Sequence, residues 1–175
     1  KLLNLEIYGT ASQAKHELVT RLGATPINYK TEDFVECIYE LTGDGVDAVF
    51  DPIGGDTLKR SFSVLGDNGI LVSYGFYNAV MGKGGNILWD LFRLQLWNLL
   101  PNRRSTAFYS IAGLRKKQPS WFAADLTTLF DFLKQRKIKP MIAQRIALSE
   151  VKHAQELIAE AKVQGKVVVE IAPAA

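Results

Sequence analysis

The chain has 175 residues, of which 47% are hydrophobic and 22% are charged, and its formal net charge is +3. This size and composition predict a soluble globular domain with a sizeable core and exclude a disordered chain. The 21 lysines and arginines are scattered, whereas nucleic-acid binding usually needs a dense basic face, so no nucleic-acid partner is expected. The single cysteine, Cys37, excludes an internal disulfide framework and is compatible with a reducing, cytoplasmic location.

Segments typical of strands and helices alternate along the first half of the chain. Strands are predicted at 5–9, 25–29, 45–51 and 69–76. Helices are predicted at 12–22, at 31–43 with Thr31 as a candidate N-cap, and at 56–65. This alternation indicates an α/β fold, with a Rossmann-like doubly wound parallel sheet.

The second half of the chain departs from this rhythm. In chain order we expect a flexible loop at 77–85, an apolar helix at 86–100, a strand at 105–111, a basic loop at 112–120, a helix at 121–136, a strand at 141–147, a helix at 149–162 and a strand at 165–172. The apolar helix is too short and too charged to span a bilayer, so no membrane span is predicted. Its apolar side chains either wall a lipophilic pocket or pack against another domain or subunit.

Several motifs of known chemistry are missing. Neither G-x-G-x-x-G nor G-x-x-x-x-G-K-[ST] occurs, so the usual phosphate-binding loops are not in this sequence. Two histidines and one cysteine are too few and too far apart for a zinc site. No metal site is therefore expected, and no side chain is assigned a catalytic role.

The end of the first predicted strand carries candidate binding residues, because ligands of open parallel sheets bind at the carboxyl ends of the strands. Gly9 permits close approach of the backbone to a ligand. Ser12 begins a helix whose N-terminus favours an anion, and Lys15 follows one turn later. No Asp or Glu occurs between Gly9 and Lys15, which suits a ribose 2′-phosphate that a carboxylate would repel. An ordinary strand-to-helix turn with a solvated lysine explains these residues equally well.

Two further strand ends are rich in glycine. One reads Asp51-Pro52-Ile53-Gly54-Gly55 and the other Ser73-Tyr74-Gly75-Phe76. Asp51 has the chemistry of a general base, but the Pro-Ile-Gly-Gly that follows it favours a role in shaping the loop.

The chain resembles the quinone oxidoreductase (zeta-crystallin-like) branch of the medium-chain dehydrogenase/reductase superfamily. The resemblance lies in "IYGTAS" followed by Lys15, in "LGATPINYKTEDF", in "GVDAVFDPIGGDT" and in "ALSEVKHAQELIAEAKVQGKVVVEI". It covers nearly the whole chain and is weakest over residues 77–120.

The resemblance implies a zinc-independent enzyme that uses NADPH to transfer hydride to a quinone or an α,β-unsaturated carbonyl. It further implies that Ser12 and Lys15 hold the 2′-phosphate and that Tyr29 packs by the adenine. The loop from Asp51 to Gly55, including Gly54, is expected to border the cofactor. The remaining cofactor contacts implied near the nicotinamide are those of Gly75, Phe76 and Tyr77.

The resemblance also implies a domain organisation. In this family a GroES-like catalytic domain, then a first strand with a Gly-rich loop, precede the part that this chain resembles. We therefore expect residues 1–175 to form a fragment of an NADP-binding Rossmann domain plus C-terminal strands, with two unpaired sheet edges and weak cofactor binding of its own. A homodimer paired through the edge strand Ser105–Ile111 is implied as well.

Other functions remain open at this stage. A polyketide enoyl reductase module or a vesicle-protein-type reductase of the same superfamily would share these motifs. An S-adenosylmethionine methyltransferase normally needs an acid after its second strand, and none occurs between Gly9 and Ser12. A non-catalytic structural or RNA-binding protein is the alternative of another class, and the scattered charge argues against RNA.

Overall fold

The computed structural model describes residues 2–160 and 162–171. The chain divides into a first unit, residues 3–122, and a second unit, residues 123–175, and each is described by itself. Within the described residues, no helix is long and apolar enough to cross a membrane.

The first unit alternates short strands and helices. Its strands are β1 (Tyr8–Ala11), β2 (Thr25–Asn28), β3 (Val46–Asp51), β4 (Leu65–Ser73) and β5 (Ser105–Phe108). Its helices are α1 (His16–Arg21), preceded by a 3-10 turn (Gln13–Lys15), α2 (Phe34–Thr42), α3 (Asp56–Ser63), α4 (Tyr77–Val80), α5 (Ile87–Trp97) and α6 (Ile111–Lys117). Helix α7 (Pro119–Lys134) begins in this unit and ends in the second.

The strands of the first unit form two parallel sheets, which confirms the predicted α/β class. β1 pairs with β2, and β3, β4 and β5 pair in that order. Among the described residues β1, β2, β3 and β5 each have one unpaired edge. Phe50 of β3 leaves 67% of its surface exposed, so part of the apolar sheet face is uncovered.

Two apolar clusters hold the first unit together. Leu58, Leu65, Leu71 and Leu94 are fully buried and join α3, β4 and α5. Ile27, Ile38 and Val64 form the second cluster, against which side chains of both sheets pack. Burying a side chain of this size contributes about 1.5–3 kcal/mol, so these clusters fix the helices on the sheets.

The boundaries of β1 and β4 differ from the predicted ones. β1 runs from Tyr8 to Ala11 and not over 5–9, because it pairs residue by residue with Thr25–Asn28. β4 begins at Leu65 and ends at Ser73, so Gly75 and Phe76 lie beyond the strand. In both cases the partner strand determines which residues are extended, and local composition does not reveal that partner.

Four local predictions are wrong. Asp33, not Thr31, caps α2, since its carboxylate accepts from two N–H groups of the first turn. The predicted basic loop at 112–120 is largely α6, whose N-cap Ser110 accepts from the N–H of Gly113. The predicted strand 105–111 consequently ends at Phe108, because its last residues lead into that helix. The predicted loop at 77–85 also contains the short helix α4.

The second unit follows the predicted strand, helix, strand order. It contains β6 (Ile142–Ala147), a 3-10 turn (Leu148–Glu150), α8 (Val151–Ala159) and β7 (Lys166–Glu170). β6 and β7 are parallel, and Arg145 bonds Glu170 across them at 3.0 Å. Ala161 in the predicted helix and Ala172 at the end of the predicted strand lie outside the described residues.

Candidate functional site

The turn after β1 carries two of the predicted anion-binding side chains. Ser12 is the N-cap of the 3-10 turn, and its hydroxyl does not cap that turn. The backbone N–H of Lys15 donates to the Ser12 carbonyl at 2.8 Å, which closes the turn. Both residues are half-buried, and Lys15 forms no ion pair within the described ranges. A hydroxyl and an ammonium group are thus available one turn apart.

Asn28, at the end of β2, links this turn to the neighbouring strand. It is buried and lies opposite Ala11 in the parallel register. Its Nδ2 donates to Gln13 Oε1 at 3.3 Å, and its Oδ1 accepts from the Lys30 N–H at 3.2 Å. One side chain therefore orients the loops after both β1 and β2.

Tyr29 and Glu32 complete this corner of the sheet. The Tyr29 ring is 55% exposed and hence accessible to a flat ligand. Glu32 Oε2 accepts from the Asn28 N–H at 2.6 Å. The absence of a carboxylate therefore holds for residues 9–15, but the structure adds one at the end of β2, where a backbone donor holds it.

Gly9 lies at a different place in the strand from the predicted one. It lies inside β1, opposite Pro26, and not at the end of the strand. A Cβ at Gly9 would lie 3.4 Å from Val19 Cγ1. A Cβ would thus be in van der Waals contact with α1, and the contribution of Gly9 to ligand binding stays a prediction.

The loop 51–55, which joins β3 to α3, is shaped by a buried carboxylate. Asp51 is only 2% exposed. Its Oδ1 accepts from the N–H groups of Ile53 (2.6 Å) and Gly54 (3.0 Å), and its Oδ2 accepts from Ser61 Oγ at 2.7 Å. These bonds support the loop-shaping interpretation of Asp51, which reaches a ligand only through the backbone that it holds.

The segment after β4 lies directly on this loop. The N–H of Tyr77 donates to the Pro52 carbonyl and the N–H of Asn78 to the Ile53 carbonyl, each at 3.0 Å. A Cβ on Gly75 would lie 2.9 Å from the Pro52 oxygen, which is too close for any side chain. The structure thus brings the predicted residues of the two strand ends into contact.

The two aromatic residues of this segment are placed differently. Phe76 is buried and stacks on Phe108 of β5, with ring centroids 5.2 Å apart. Tyr77 is exposed, and Lys83 Nζ lies 5.2 Å from its ring centroid. Phe76 can form the floor of a site, and Tyr77 can contact a ligand.

Helix α5 contributes two charged residues that do not stand out in the sequence as site residues. Asp90 Oδ2 accepts from the Gly55 N–H at 2.8 Å, and Arg93 Nη1 donates to the Gly55 carbonyl at 3.2 Å. The sequence signal for this pair is an acidic and a basic residue three positions apart in a mostly apolar helix. The packing of Leu94 in the core shows that one face of α5 is structural.

The described residues offer neither a reactive thiol nor a set of metal ligands. Cys37 is half-buried, and burial raises the pKa of its thiol, which keeps the sulfur protonated and unreactive at neutral pH. Within residues 2–160 and 162–171 no group of three or more His, Cys, Asp or Glu side chains could hold a metal ion. These residues do not fit a zinc site.

Comparison with known proteins gives the family. The family model described as zinc-binding dehydrogenase matches residues 22–169. The human synaptic vesicle membrane protein VAT-1 homolog is 32% identical over 173 residues, covering 94% of this chain and 43% of its own length. A 2-haloacrylate reductase from Burkholderia sp. is 36% identical over 113 residues, which cover 58% of this chain and 33% of the reductase.

Solved structures agree with this assignment. Escherichia coli quinone oxidoreductase, in complex with NADPH, superposes with a TM-score of 0.78 at 26% identity, covering 97% of this chain and 51% of that enzyme. The chain thus spans about half or less of the proteins that it matches. It belongs to the zinc-binding dehydrogenase family, as a quinone oxidoreductase-like part of the medium-chain dehydrogenase/reductase superfamily.

Proposed function

We propose that the protein is an NADPH-dependent oxidoreductase that transfers hydride, without zinc, to a quinone or an α,β-unsaturated carbonyl. The observation that carries this proposal is the turn after β1, where Ser12 and Lys15 present donor groups at the carboxyl end of a parallel strand. The structural likeness to a quinone oxidoreductase in complex with NADPH supports it.

In this proposal the corner between β1 and β2 binds the 2′-phosphate. The Ser12 hydroxyl and the Lys15 ammonium donate to the phosphate oxygens, and the Asn28 side chain holds the turn in place. Tyr29 lies along the adenine, which its exposed ring allows. Glu32 lies at the same corner but is exposed, so solvent screens its charge from the phosphate.

The loop 51–55 and the segment 75–77 would border the nicotinamide end. NADPH, when bound, supplies the hydride. The chain's residues position the reactive ring and exclude water: Gly75 permits close packing of the two loops, Phe76 forms the floor, and Tyr77 faces outward. No side chain of this chain is assigned as a proton donor.

The substrate and the assembly of the whole protein follow the same proposal. The relatives are about twice the length of this chain or more, so the activity is proposed for the full-length protein, with a GroES-like domain as the substrate domain. Among the described residues β5 pairs with β4 alone, and its open edge, Ser105–Phe108, suits pairing with a second subunit. The substrate is a small molecule.

A second candidate has its own support. Identities of 29–32% over most of the chain to VAT-1 homologs from several vertebrates favour a vesicle-protein-type member of the superfamily.

Turnover of simple quinones would support the first proposal. Turnover of enoyl thioesters alone would favour an enoyl reductase, and the absence of hydride transfer to either would favour the non-catalytic alternative.

The substitution Lys15→Ala tests the cofactor assignment in the full-length protein. It should weaken NADPH binding by about 1–3 kcal/mol, the range for a hydrogen bond to a charged group, and change NADH binding little. Fluorescence titration with each cofactor measures both affinities. Lys59→Ala is the matched control, because Lys59 is exposed on α3 and, among the residues that the structure describes, pairs with Asp56 alone.

An equal loss of NADPH and NADH affinity in Lys15→Ala would contradict the 2′-phosphate assignment, since NADH has no phosphate at that position. An unchanged NADPH affinity would contradict it as well.

A further inference from the structure

We propose that Asp90 and Arg93 of α5 are positioning residues that bind both backbone polar groups of Gly55 and so fix the shape of the loop 51–55. The consequence for the cofactor rests on the proposed function, in which this loop borders the nicotinamide end. The contact between α5 and the loop stands independently of it.

Asp90 and Arg93 hold Gly55 at two atoms, and we call this pair of residues the clamp. Asp90 Oδ2 accepts from the Gly55 N–H at 2.8 Å, and Arg93 Nη1 donates to the Gly55 carbonyl at 3.2 Å. The two side chains also pair with each other, Nη1 to Oδ1, at 3.4 Å. Asp90 is 1% and Arg93 13% exposed, so water competes little for these bonds.

The loop needs an external support because of its two glycines. Gly54 and Gly55 have φ values of +76° and +63°, a region that glycine enters freely and other residues rarely adopt. The same freedom allows the pair many other conformations, which bonds from a rigid element suppress. Asp51 holds the start of the loop through Ile53 and Gly54, and the clamp holds its end.

The clamp is itself rigid and closely fitted. The Arg93 guanidinium carbon lies 5.7 Å from the Trp89 ring centroid and 5.9 Å from that of Trp97. A Cβ on Gly54 would lie 3.1 Å from Asp90 Oδ2. A buried ion pair costs desolvation free energy, and apolar residues usually replace it at no loss of stability. Its hydrogen bonds to the loop are the feature that apolar residues could not reproduce.

The test uses Asp90→Ala and the isosteric Asp90→Asn in the full-length protein, with Gln95→Ala on the exposed side of α5 as control. Amide hydrogen exchange measured by NMR should be faster at Gly55 by about tenfold or more in Asp90→Ala, and less so in Asp90→Asn, which keeps an acceptor. The control should match the wild type.

The affinities for two ligands distinguish a positioning role of Asp90 from a general loss of structure. Asp90→Ala should weaken NADPH binding by about 10- to 100-fold, whereas the affinity for adenosine 2′,5′-bisphosphate, which does not reach the loop, should stay within about twofold. Arg93→Lys keeps the charge and should partly preserve NADPH binding. If Asp90→Ala is too unstable to purify, Asp90→Asn gives the same contrast at smaller amplitude.

The outcomes are distinct. Unchanged exchange at Gly55 in both Asp90 variants overturns the clamp. Faster exchange with unchanged NADPH affinity, or an equal loss for both ligands, overturns the positioning role. A wild-type protein that binds no NADPH, but whose Gly55 exchange responds to Asp90→Ala, overturns the proposed function and supports the clamp.

Discussion

Replacing Asp51 by alanine should destabilise the first unit severely. The Asp51 carboxylate accepts hydrogen bonds from Ile53, Gly54 and Ser61, and the last two are buried. A buried donor left without a partner costs about 1–3 kcal/mol. We therefore expect a loss of about 3–5 kcal/mol in the free energy of unfolding, a large share of the typical total of about 5–15 kcal/mol.

The variant Asp51→Asn distinguishes the effect of the loop hydrogen bonds from the effect of the carboxylate charge. The asparagine oxygen can still accept from Ile53 and Gly54, and its amide group can donate to the Ser61 hydroxyl, so the loss should be only about 1 kcal/mol. Asp56→Ala is the control, because the Asp56 side chain is 94% exposed and pairs with the exposed Lys59. Its free energy of unfolding should lie within about 1 kcal/mol of that of the wild type, the range for an exposed ion pair and an acid in the first helical turn.

Urea unfolding followed by tryptophan fluorescence measures the stabilities, and a hydride-transfer assay on the full-length protein measures activity. An Asp51→Ala variant within about 0.5 kcal/mol of the wild type would refute the importance of these hydrogen bonds. An Asp51→Asn variant that is stable and loses its hydride transfer would make Asp51 a catalytic base, contrary to its loop-shaping role.

Two further substitutions test packing and charge. Gly75→Ala should cost about 1–3 kcal/mol in urea unfolding, since its Cβ would lie 2.9 Å from the Pro52 oxygen, and an unchanged stability would contradict this close contact. The Val35 N–H, foremost among several hydrogen bonds, lowers the pKa of the Asp33 carboxyl, so its stabilisation is present above pH ~4 and lost as the pH falls through the folded-state pKa. Between pH 6 and pH 3, Asp33→Asn should therefore lose less in melting temperature than the wild type; an equal loss would contradict this cause.

The site could be predicted from the sequence as far as local chemistry extends. Strand ends followed by glycine and small polar residues indicate a ligand edge, and this rule locates Ser12, Lys15 and Gly75. The burial of Asp51 and the contact between its loop and the segment after β4 agree with the predicted grouping. The rule fails for Gly9, since the register with β2 places that residue inside the strand.

Boundaries and long-range contacts could not be predicted in this way. The pairing of β1 with β2 determines where β1 begins, and no local pattern encodes it. Helix α6 begins after the N-cap Ser110. A single serine in the sequence does not predict a helix start, because the cap forms only where the preceding strand ends. Asp90 and Gly55 lie 35 residues apart, so their contact exists only after α5 has packed on the sheet.

The sequence alone determined the order and type of nearly all elements, the parallel α/β class and the chemistry offered at the strand ends. Periodicity and glycine placement act over a few residues, so they can be read without a fold. The tertiary structure decided which polar side chains form internal hydrogen bonds and which are accessible to a ligand. It buries Asp51 and Asp90 in loop hydrogen bonds, and it leaves Ser12, Lys15 and Tyr29 accessible. Burial and partnership depend on packing between distant segments, and for that reason only the folded chain reveals them.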